Sequence, residues 1–403
     1  MVVEVSDADT LPQKHPILLR AQRIKQVLGV ALDKQQVKEI LTGLGMQVTA
    51  KGNDWQVVPP LSRFDISIET DLIEEVGRIY GYNNIPTKLP TGELTIAPRS
   101  ETKLTVLSVQ TLLVARGFQE VVTYSFVDPA LQQLIEPDCE PIALANPISA
   151  DMAVMRTSLW PGLLSTIRHN LNRQQERTLL FETGLSFRSV GNDIEQKLKI
   201  AGAMAGSVLP EQWGANKQNF DFYDAKSVIE AILSHAGCLE DVQFEASHHS
   251  ALHPGQSARL IRAGQVIGWL GKLHPEIKRK QELSEDVFLF EIDFMDLQNV
   301  PVPAFEPLSK YPSIRRDLAV VVDETVTSSA VCETIKATLP DQLKEVRIFD
   351  VYRGKGIESG RKSLALGLIL QDSSRTLVDN EVDTAIESVM VRLGKELGAS
   401  LRD

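Results

Sequence analysis

The sequence predicts an α+β multidomain protein, and three observations carry that prediction. Its 403 residues exceed one ordinary core, since a domain takes roughly 100–200 residues. Two proline-rich breaks, IPTKLPTG and NVPVPAFEPLSKYP, exclude regular structure and divide the chain into segments 16–89, 99–300 and 309–403. Within these segments strand-like and helical periods interleave, with no fixed-period repeat and no low-complexity tract.

Composition is that of a folded protein, with 43% apolar and 24% charged residues. No apolar run approaches the ~18 residues that cross a bilayer, so no membrane partner is expected. The opening MVVEVSDADTLPQKHP is acidic and lacks a basic-then-apolar pattern, which predicts a cytoplasmic protein without a secretory signal. Cys139, Cys238 and Cys332 stand far apart, without the spacing of a zinc ribbon, redox pair or disulfide framework, and read as small buried hydrophobes. A net charge of −11 repels nucleic acid unless a basic surface is set apart locally. The final segment is close to charge-balanced, so the acidic excess lies upstream.

In the first segment, Asp33 and Gln36 resemble a capping box before Val37, Ile40, Leu41 and Leu44 at helical spacing, which Gly45 ends. MQVTAKGNDWQVVPP reads as two short strands around a Gly-Asn-Asp turn. Leu72, Val76, Ile79 and Tyr80 then predict a helix from near Thr70 to Gly81, giving a small winged-helix-like module.

The second segment places a helix over Leu104, Leu107, Leu112 and Leu113 before the strand EVVTYSF. MRTSL, LLFETGLSF, IAGAMAGSV, VIGWLGKL and VFLFEIDF read as further strands, and WPGLLSTIRHNLNRQ and FYDAKSVIEAIL as helices. Many strands with few long helices predict a large, mainly antiparallel sheet.

The third segment reads strand RDLAVVVD, helix SSAVCETIKATL, strands LKEVRIFDVY and KSLALGLIL, helix DNEVDTAIESVMVRLGKEL and terminal ASLR. Leu364, Leu366, Leu368 and Leu370 share one strand face, while Val382, Ile386, Val389, Leu393 and Leu397 form one helix stripe. This βαββαβ order is the ferredoxin-like plan.

RFDISIETDLIEEVGRIYGY packs Asp65, Glu69, Asp71, Glu74 and Glu75 around a helix start. Asp71, Glu74 and Glu75 stand at i, i+3 and i+4, and Asp65 on the incoming strand can fold back onto that face. An all-oxygen set suits Mg²⁺, which takes one or two carboxylates and keeps several waters. Spacing alone favours a purely structural role, because the helix dipole favours acids in its first turn and Glu74 can pair with Arg78. Glu69 precedes the helix and fits neither.

His248, His249, His253 and His274 carry no HExxH or matching carboxylate spacing, and His253-Pro254-Gly255 and His274-Pro275 read as turns with backbone-satisfied imidazoles. No GxSxG, P-loop or GxGxxG follows a strand, and Gly206 and Gly214 show no phosphate-binding order. One local basic surface exists: Arg353, Lys355, Arg361 and Lys362 on the loop VYRGKGIESGRKSL, with Arg315 and Arg316 before the first strand of the third segment. Such cations contact phosphates in an RNA-binding sheet and equally decorate a solvated hairpin. Phe349 and Tyr352 alternate onto opposite faces, which leaves one ring to stack a base.

Three stretches now resemble one family, the β subunit of bacterial phenylalanine-tRNA ligase, C-terminal half only. RFDISIETDLIEEVGRIYGYNNIP is similar to the family's Mg²⁺-binding segment, so the resemblance implies Asp65, Asp71, Glu74 and Glu75 as metal ligands and excludes Glu69. KYPSIRRDLAVVVD, IFDVYRGKGI and SRTLVDNEVD resemble its ferredoxin-fold anticodon-binding domain. DFYDAKSVIEAIL, HPGQSARL and IGWLGKLHPEI resemble its central catalytic-like module.

The resemblance implies a ligase of two α and two β subunits that joins phenylalanine to its tRNA, with ATP and phenylalanine bound by α. The central module is then a class II synthetase fold without its chemistry. Arg156 is followed by Thr157, Ser158 and Leu159 rather than an acid, and no Gly-rich segment ending in arginine follows VFLFEIDF. No catalytic residue is assigned, and the chain alone is expected to be inert. The family's N-terminal tRNA-binding fold and proofreading domain have no counterpart in these residues, so editing is not expected. Two other classes compete: a freestanding scaffold for another nucleic-acid partner, and a hydrolase, which lacks an assembled nucleophile and base.

Overall fold

A computed structural model describes residues 3–5, 7, 13–89, 91, 92, 95, 96, 102, 104–298, 300, 302–305 and 307–402. The chain forms two compact units, Met1–Pro98 and Arg99–Asp403.

The first unit runs β1 (Ile17–Leu19), α1 (Ala21–Leu28), α2 (Lys34–Gly43), β2 (Gln47–Lys51), β3 (Asp54–Val58) and α3 (Glu69–Tyr80). Its sheet has the order β1-β3-β2 with antiparallel pairing. Leu19, Leu41, Trp55, Val57, Leu72 and Val76 fill its core. Asp33 caps α2 by accepting the backbone N–H groups of Gln35 and Gln36, while the return bond of a full capping box is absent among the described contacts. β1 and α1 escape the sequence pattern because AQRIKQVL buries Ile24 alone, too little for a periodic signal.

The second unit begins with α4 (Val106–Ala115), β4 (Gln119–Glu120), β5 (Phe126–Val127), α5 (Pro129–Ile135), β6 (Val154–Met155) and α6 (Trp160–Leu171). It continues with β7 (Thr178–Val190), β8 (Asp193–Ala205), α7 (Phe222–Ala236), β9 (Val242–Ala246), β10 (Leu252–Arg262), β11 (Gln265–Leu273), α8 (Pro275–Lys280) and β12 (Val287–Asp293). The large sheet has the order β4-β7-β8-β12-β11-β10-β9, antiparallel except for β4 against β7.

Helices cover both faces of this sheet, and β8 shows why. Ile200 and Met204 join the cluster with residues of α4 and α7, whereas Ala201, Ala203 and Ala205 join the cluster with α5, α6 and α8. A strand buried on both sides needs apolar residues at every position, which is how IAGAMA reads. Gly202 fits the same logic, since a Cβ there would stand 2.2 Å from the ring of Phe290.

Five sequence expectations change here. EVVTYSF is mostly irregular, because Thr123 gives its N–H and hydroxyl to Glu182 instead of to a ladder. MRTSL contributes only the end of the two-residue β6, and the helix from Trp160 ends at Leu171. HPG lies inside β10 at a register shift, with the Gly255 N–H donating to His253 Nδ1 at 3.0 Å, so a turn-like signal concealed a bulged strand. Cys238 is buried as expected, while Cys139 and Cys332 are half-buried, and all three are free thiols.

The unit closes with β13 (Ile314–Asp323), α9 (Ser328–Thr338), β14 (Leu343–Tyr352), β15 (Arg361–Leu370), α10 (Asp379–Leu397) and β16 (Ser400–Leu401). The order β14-β15-β13-β16 is antiparallel throughout and ferredoxin-like. Leu364, Leu366, Leu368 and Leu370 bury against Val331, Ile335, Val382, Val389 and Leu393 on α9 and α10. The opposite face of the sheet carries no helix among the described residues.

Candidate functional site

The acidic segment is organised by an arginine. Asp71 Oδ2 accepts the backbone N–H groups of Ser67 at 2.8 Å and Ile68 at 2.9 Å, which fixes the entry of α3. Arg63 bridges Asp65 at 2.7 Å and Glu75 at 3.0 Å, and Arg78 reaches Glu75 at 2.6 Å. Hydrogen bonds from Arg63 hold the Asp65 carboxyl down at about 2, and bonds from Arg63 and Arg78 hold Glu75 at about 2. The expected pairing of Arg78 with Glu74 gives way to Glu75, because Glu75 turns inward while Glu74 faces solvent. Glu69 clasps Arg20 in a bidentate pair and accepts its N–H at 2.8 Å, tying β1 to α3.

The structure thus joins Asp65 and Glu75 through one cation and leaves Asp71 as a cap and Glu74 exposed. Among the described residues no group of three or more His, Cys, Asp or Glu side chains converges on a point. The hard oxygen donors are right for Mg²⁺, and Arg63 marks where a cation already draws two of them together.

The central sheet holds a cavity of about 210 Å³, between β7, β8, β11 and β12. Lys199 contacts Glu291 at 2.5 Å and Asp293 at 3.7 Å, Lys197 contacts Asp293 at 3.5 Å, and Arg188 contacts Glu136 at 2.6 Å. Glu291 also accepts the Ser158 hydroxyl and the Leu159 N–H. Burial pushes Glu291 up, but Lys199 and these donors outweigh it and hold the carboxyl below its usual range. Burial likewise lowers Lys199, and Glu291 and Asp293 raise it further than burial lowers it.

Arg156 lies outside this lining. It is buried with Glu182 at 2.7 Å, donates to Thr123 Oγ1 at 3.1 Å and to the Leu185 carbonyl at 2.9 Å. Its guanidinium is therefore committed to the fold. His253 and His274 each accept a backbone N–H through Nδ1, as expected of backbone-satisfied imidazoles, although His253 lies in the bulged β10 and His274 caps α8; His249, for which no turn was expected, accepts the Ala251 N–H in the same way.

On the ferredoxin-like sheet most of the expected cations are occupied, and Arg315 and Arg316 lie inside β13 and Arg361 and Lys362 at the start of β15, not in the flanking loops as expected. Arg353 pairs with Glu324, Lys362 donates to the Glu324 carbonyl, and Arg361 donates to the carbonyls of Val321 and Gly398. Arg316 faces the helices and pairs with Asp379, while Lys355 projects into solvent. Arg315 lies on the helix-free face, 5.5 Å over Phe349. The expectation that Phe349 and Tyr352 oppose each other fails, because a bulge between Ile348 and Asp350 resets the alternation. Both rings sit on that face, and Arg402, which the sequence reading missed, lies 4.6 Å over Tyr352.

Comparison with known proteins finds one family match for each of the three segments. The description "Phenylalanyl tRNA synthetase beta chain CLM domain" matches residues 85–294, "tRNA synthetase B5 domain" residues 17–82, and "Ferredoxin-fold anticodon binding domain" residues 309–402. Phenylalanine–tRNA ligase β subunits of Pseudomonas putida, Methylococcus capsulatus and Nitrosococcus oceani are 48%, 46% and 46% identical over the whole of this chain and 51% of their own. The chain thus spans about half the length of the curated relatives it matches. A pyrrolysyl-tRNA synthetase structure from Desulfitobacterium hafniense aligns at a TM-score of 0.36 and 12% identity over 66% of this chain and 88% of that one, too loosely to carry an argument.

These matches define an α+β chain assembled from domains named for tRNA synthetases. More particularly, the chain belongs to the phenylalanyl-tRNA synthetase β-chain family.

Proposed function

We propose that this chain is the noncatalytic part of a cytoplasmic phenylalanine-tRNA ligase, with modules at 16–89 (winged-helix-like), 99–300 (class II synthetase-like) and 309–403 (ferredoxin-like). One observation carries the reading. Every cation lining the central cavity already contacts a carboxylate, and four carboxylates face three cations, so a triphosphate finds no free positive group. Activation of phenylalanine by ATP then falls to the α subunit.

The same module offers exposed apolar side chains on which α would dock. Leu107 and Val114 share one face of α4, and Val122 and Tyr124 project from the segment after β4, all four exposed. Exposed apolar side chains on neighbouring elements, when they join into one patch, mark a protein interface. The purified chain should show no phenylalanine-dependent exchange of pyrophosphate into ATP, and should copurify with α unless Val122 is replaced by aspartate. Robust exchange without α, or copurification unaffected by that charge, would refute the reading.

Mg²⁺ is proposed on Asp65, Asp71, Glu74 and Glu75, taking the place where Arg63 now draws carboxylates together. When bound, the ion supplies a compact double charge that ties the turn carrying Asp65, which the structure shows in place of the expected strand, to α3. Titration followed by isothermal calorimetry should lose Mg²⁺ binding in Asp71→Asn with Glu75→Gln and keep it in Glu69→Gln, since Glu69 is held by Arg20. Binding retained in the double variant removes the assignment.

For tRNA, the helix-free face of the ferredoxin-like sheet offers Phe349 and Tyr352 for stacking and Arg315 and Arg402 for phosphates, with Arg316, Arg353, Lys355, Arg361 and Lys362 at its margins. Arg315→Ala should weaken tRNA binding and reduce the salt slope by about one, whereas Arg316→Ala, facing α10, should leave the slope unchanged. Equal slopes for the two variants would put the contact elsewhere.

A further inference from the structure

The cavity that lacks a seat for a triphosphate has a second property, a layered charge pattern. Its floor is closed: Lys199 and Glu291 are both buried and fully engaged. Its rim is loose. Lys197 is half-exposed and reaches Asp293 at 3.5 Å and Glu195 only at 3.9 Å, while Asp293 is one-fifth exposed. Separations of this length in partly exposed pairs contribute little and exchange readily.

The wall beside the rim is aromatic. The imidazole of His249 stands edge-on between Trp160 and Trp269, with ring centroids 5.1 and 4.9 Å away. Its Nδ1 accepts the Ala251 N–H, so the single proton of the neutral ring sits on Nε2. Burial pushes this histidine down to about 4, which keeps it neutral at physiological pH and makes Nε2–H a donor. The fold supplies that donor no acceptor among the described residues.

Size and charge select the ligand. About 210 Å³ falls below the ~300–1,000 Å³ of pockets for drug-sized molecules, so a nucleotide does not fit. A lone anion would meet a lining that already holds four carboxylates to three cations, and a lone cation on Asp293 would displace Lys197 without offering it a closer partner. A molecule carrying both signs would instead part Lys197 from Asp293 and give each a closer partner, with no net charge buried.

We propose that this cavity binds a small zwitterion of the α-amino-acid class, its ammonium on Asp293, its carboxylate on Lys197 and the His249 Nε2–H, and its apolar side chain against Trp160 and Trp269. Binding requires no chemistry, and it stands apart from the assignment of the α partner. The test uses the full chain and the indole N–H resonances of Trp160 and Trp269, titrated with L-leucine to about 10 mM, alongside leucinamide, which lacks the carboxylate, and 4-methylpentanoate, which lacks the ammonium. A saturable shift is expected with leucine, and at least about tenfold weaker binding for each half-ligand, as loss of one charge-assisted contact dictates. Lys197→Gln and Asp293→Asn, both at partly exposed positions, should weaken leucine by a similar factor. No shift with leucine, or equal shifts from all three compounds, overturns the proposal.

Discussion

Replacing Lys199 with methionine is expected to destabilise the central sheet by about 3–5 kcal/mol at neutral pH, the usual cost of breaking one side of a buried ion pair. Lys199 and Glu291 lie on neighbouring strands β8 and β12, each about nine-tenths removed from solvent, 2.5 Å apart. Without the ammonium, Glu291 keeps the Ser158 hydroxyl and Leu159 N–H but loses its only close countercharge in the floor. Burial then dominates, and the carboxyl moves up instead of down.

The pH dependence follows from that reversal. In the native protein the depressed Glu291 carboxyl contributes stability that is present above the ordinary carboxylate range and lost as pH falls through its folded pKa. In the variant the raised carboxyl behaves oppositely: its neutral form is tolerated at low pH, and stability drains away as pH rises through the new folded value. Denaturant unfolding followed by Trp160 fluorescence at about pH 5 and about pH 8 should therefore show the smaller loss at the lower pH. Adding Glu291→Met should recover most of the loss. A loss that is independent of pH, or below about 1 kcal/mol, would show that the pair is not the floor of this cavity.

How much of this was legible in the amino-acid order depends on where each residue's partner lies. The element order of the third segment was readable because Leu364 to Leu370 alternate strictly and Val382 to Leu393 keep one stripe, both signals carried within a single element. α3 was readable for the same reason. The acidic site was half readable: spacing brings Asp71, Glu74 and Glu75 onto one helix, but nothing local reveals that Arg63 turns back to claim Glu75 twelve residues on. Glu69 looked idle because its partner, Arg20, is forty-nine residues away. EVVTYSF reads as a strand by alternation, yet Thr123 is drawn off by Glu182 across the sheet. Phe349 and Tyr352 were misplaced by one inserted residue, since a bulge leaves no mark in the apolar pattern while it switches which face a ring occupies. Contacts over long sequence separation, and single-residue changes of register, are what a periodic reading cannot contain.

Arg156→Met should cost about as much as Lys199→Met, about 3–5 kcal/mol, and the reason bears directly on function. An arginine that grips a phosphate must present its fork to an open site, and truncating it would spare the fold. Here the side chains of Arg156 and Glu182 are 4% and 2% exposed, and Nε and a terminal nitrogen are spent on Leu185, Thr123 and Glu182. The guanidinium also lies across Gly184, where a Cβ would stand 2.3 Å from one of its nitrogens, so the backbone of β7 is shaped to receive it. Removing the cation leaves Glu182 buried with only the N–H and hydroxyl of Thr123, whereas Arg156→Met with Glu182→Leu removes both charges and should restore stability to within about 1–2 kcal/mol of the native chain. Denaturant midpoints of the single and double variants, with α-complex formation as the second readout, separate the alternatives. A single variant that folds as well as the native chain would return Arg156 to the pool of groups free to bind phosphate, and with it the central module to the ranks of active synthetase folds.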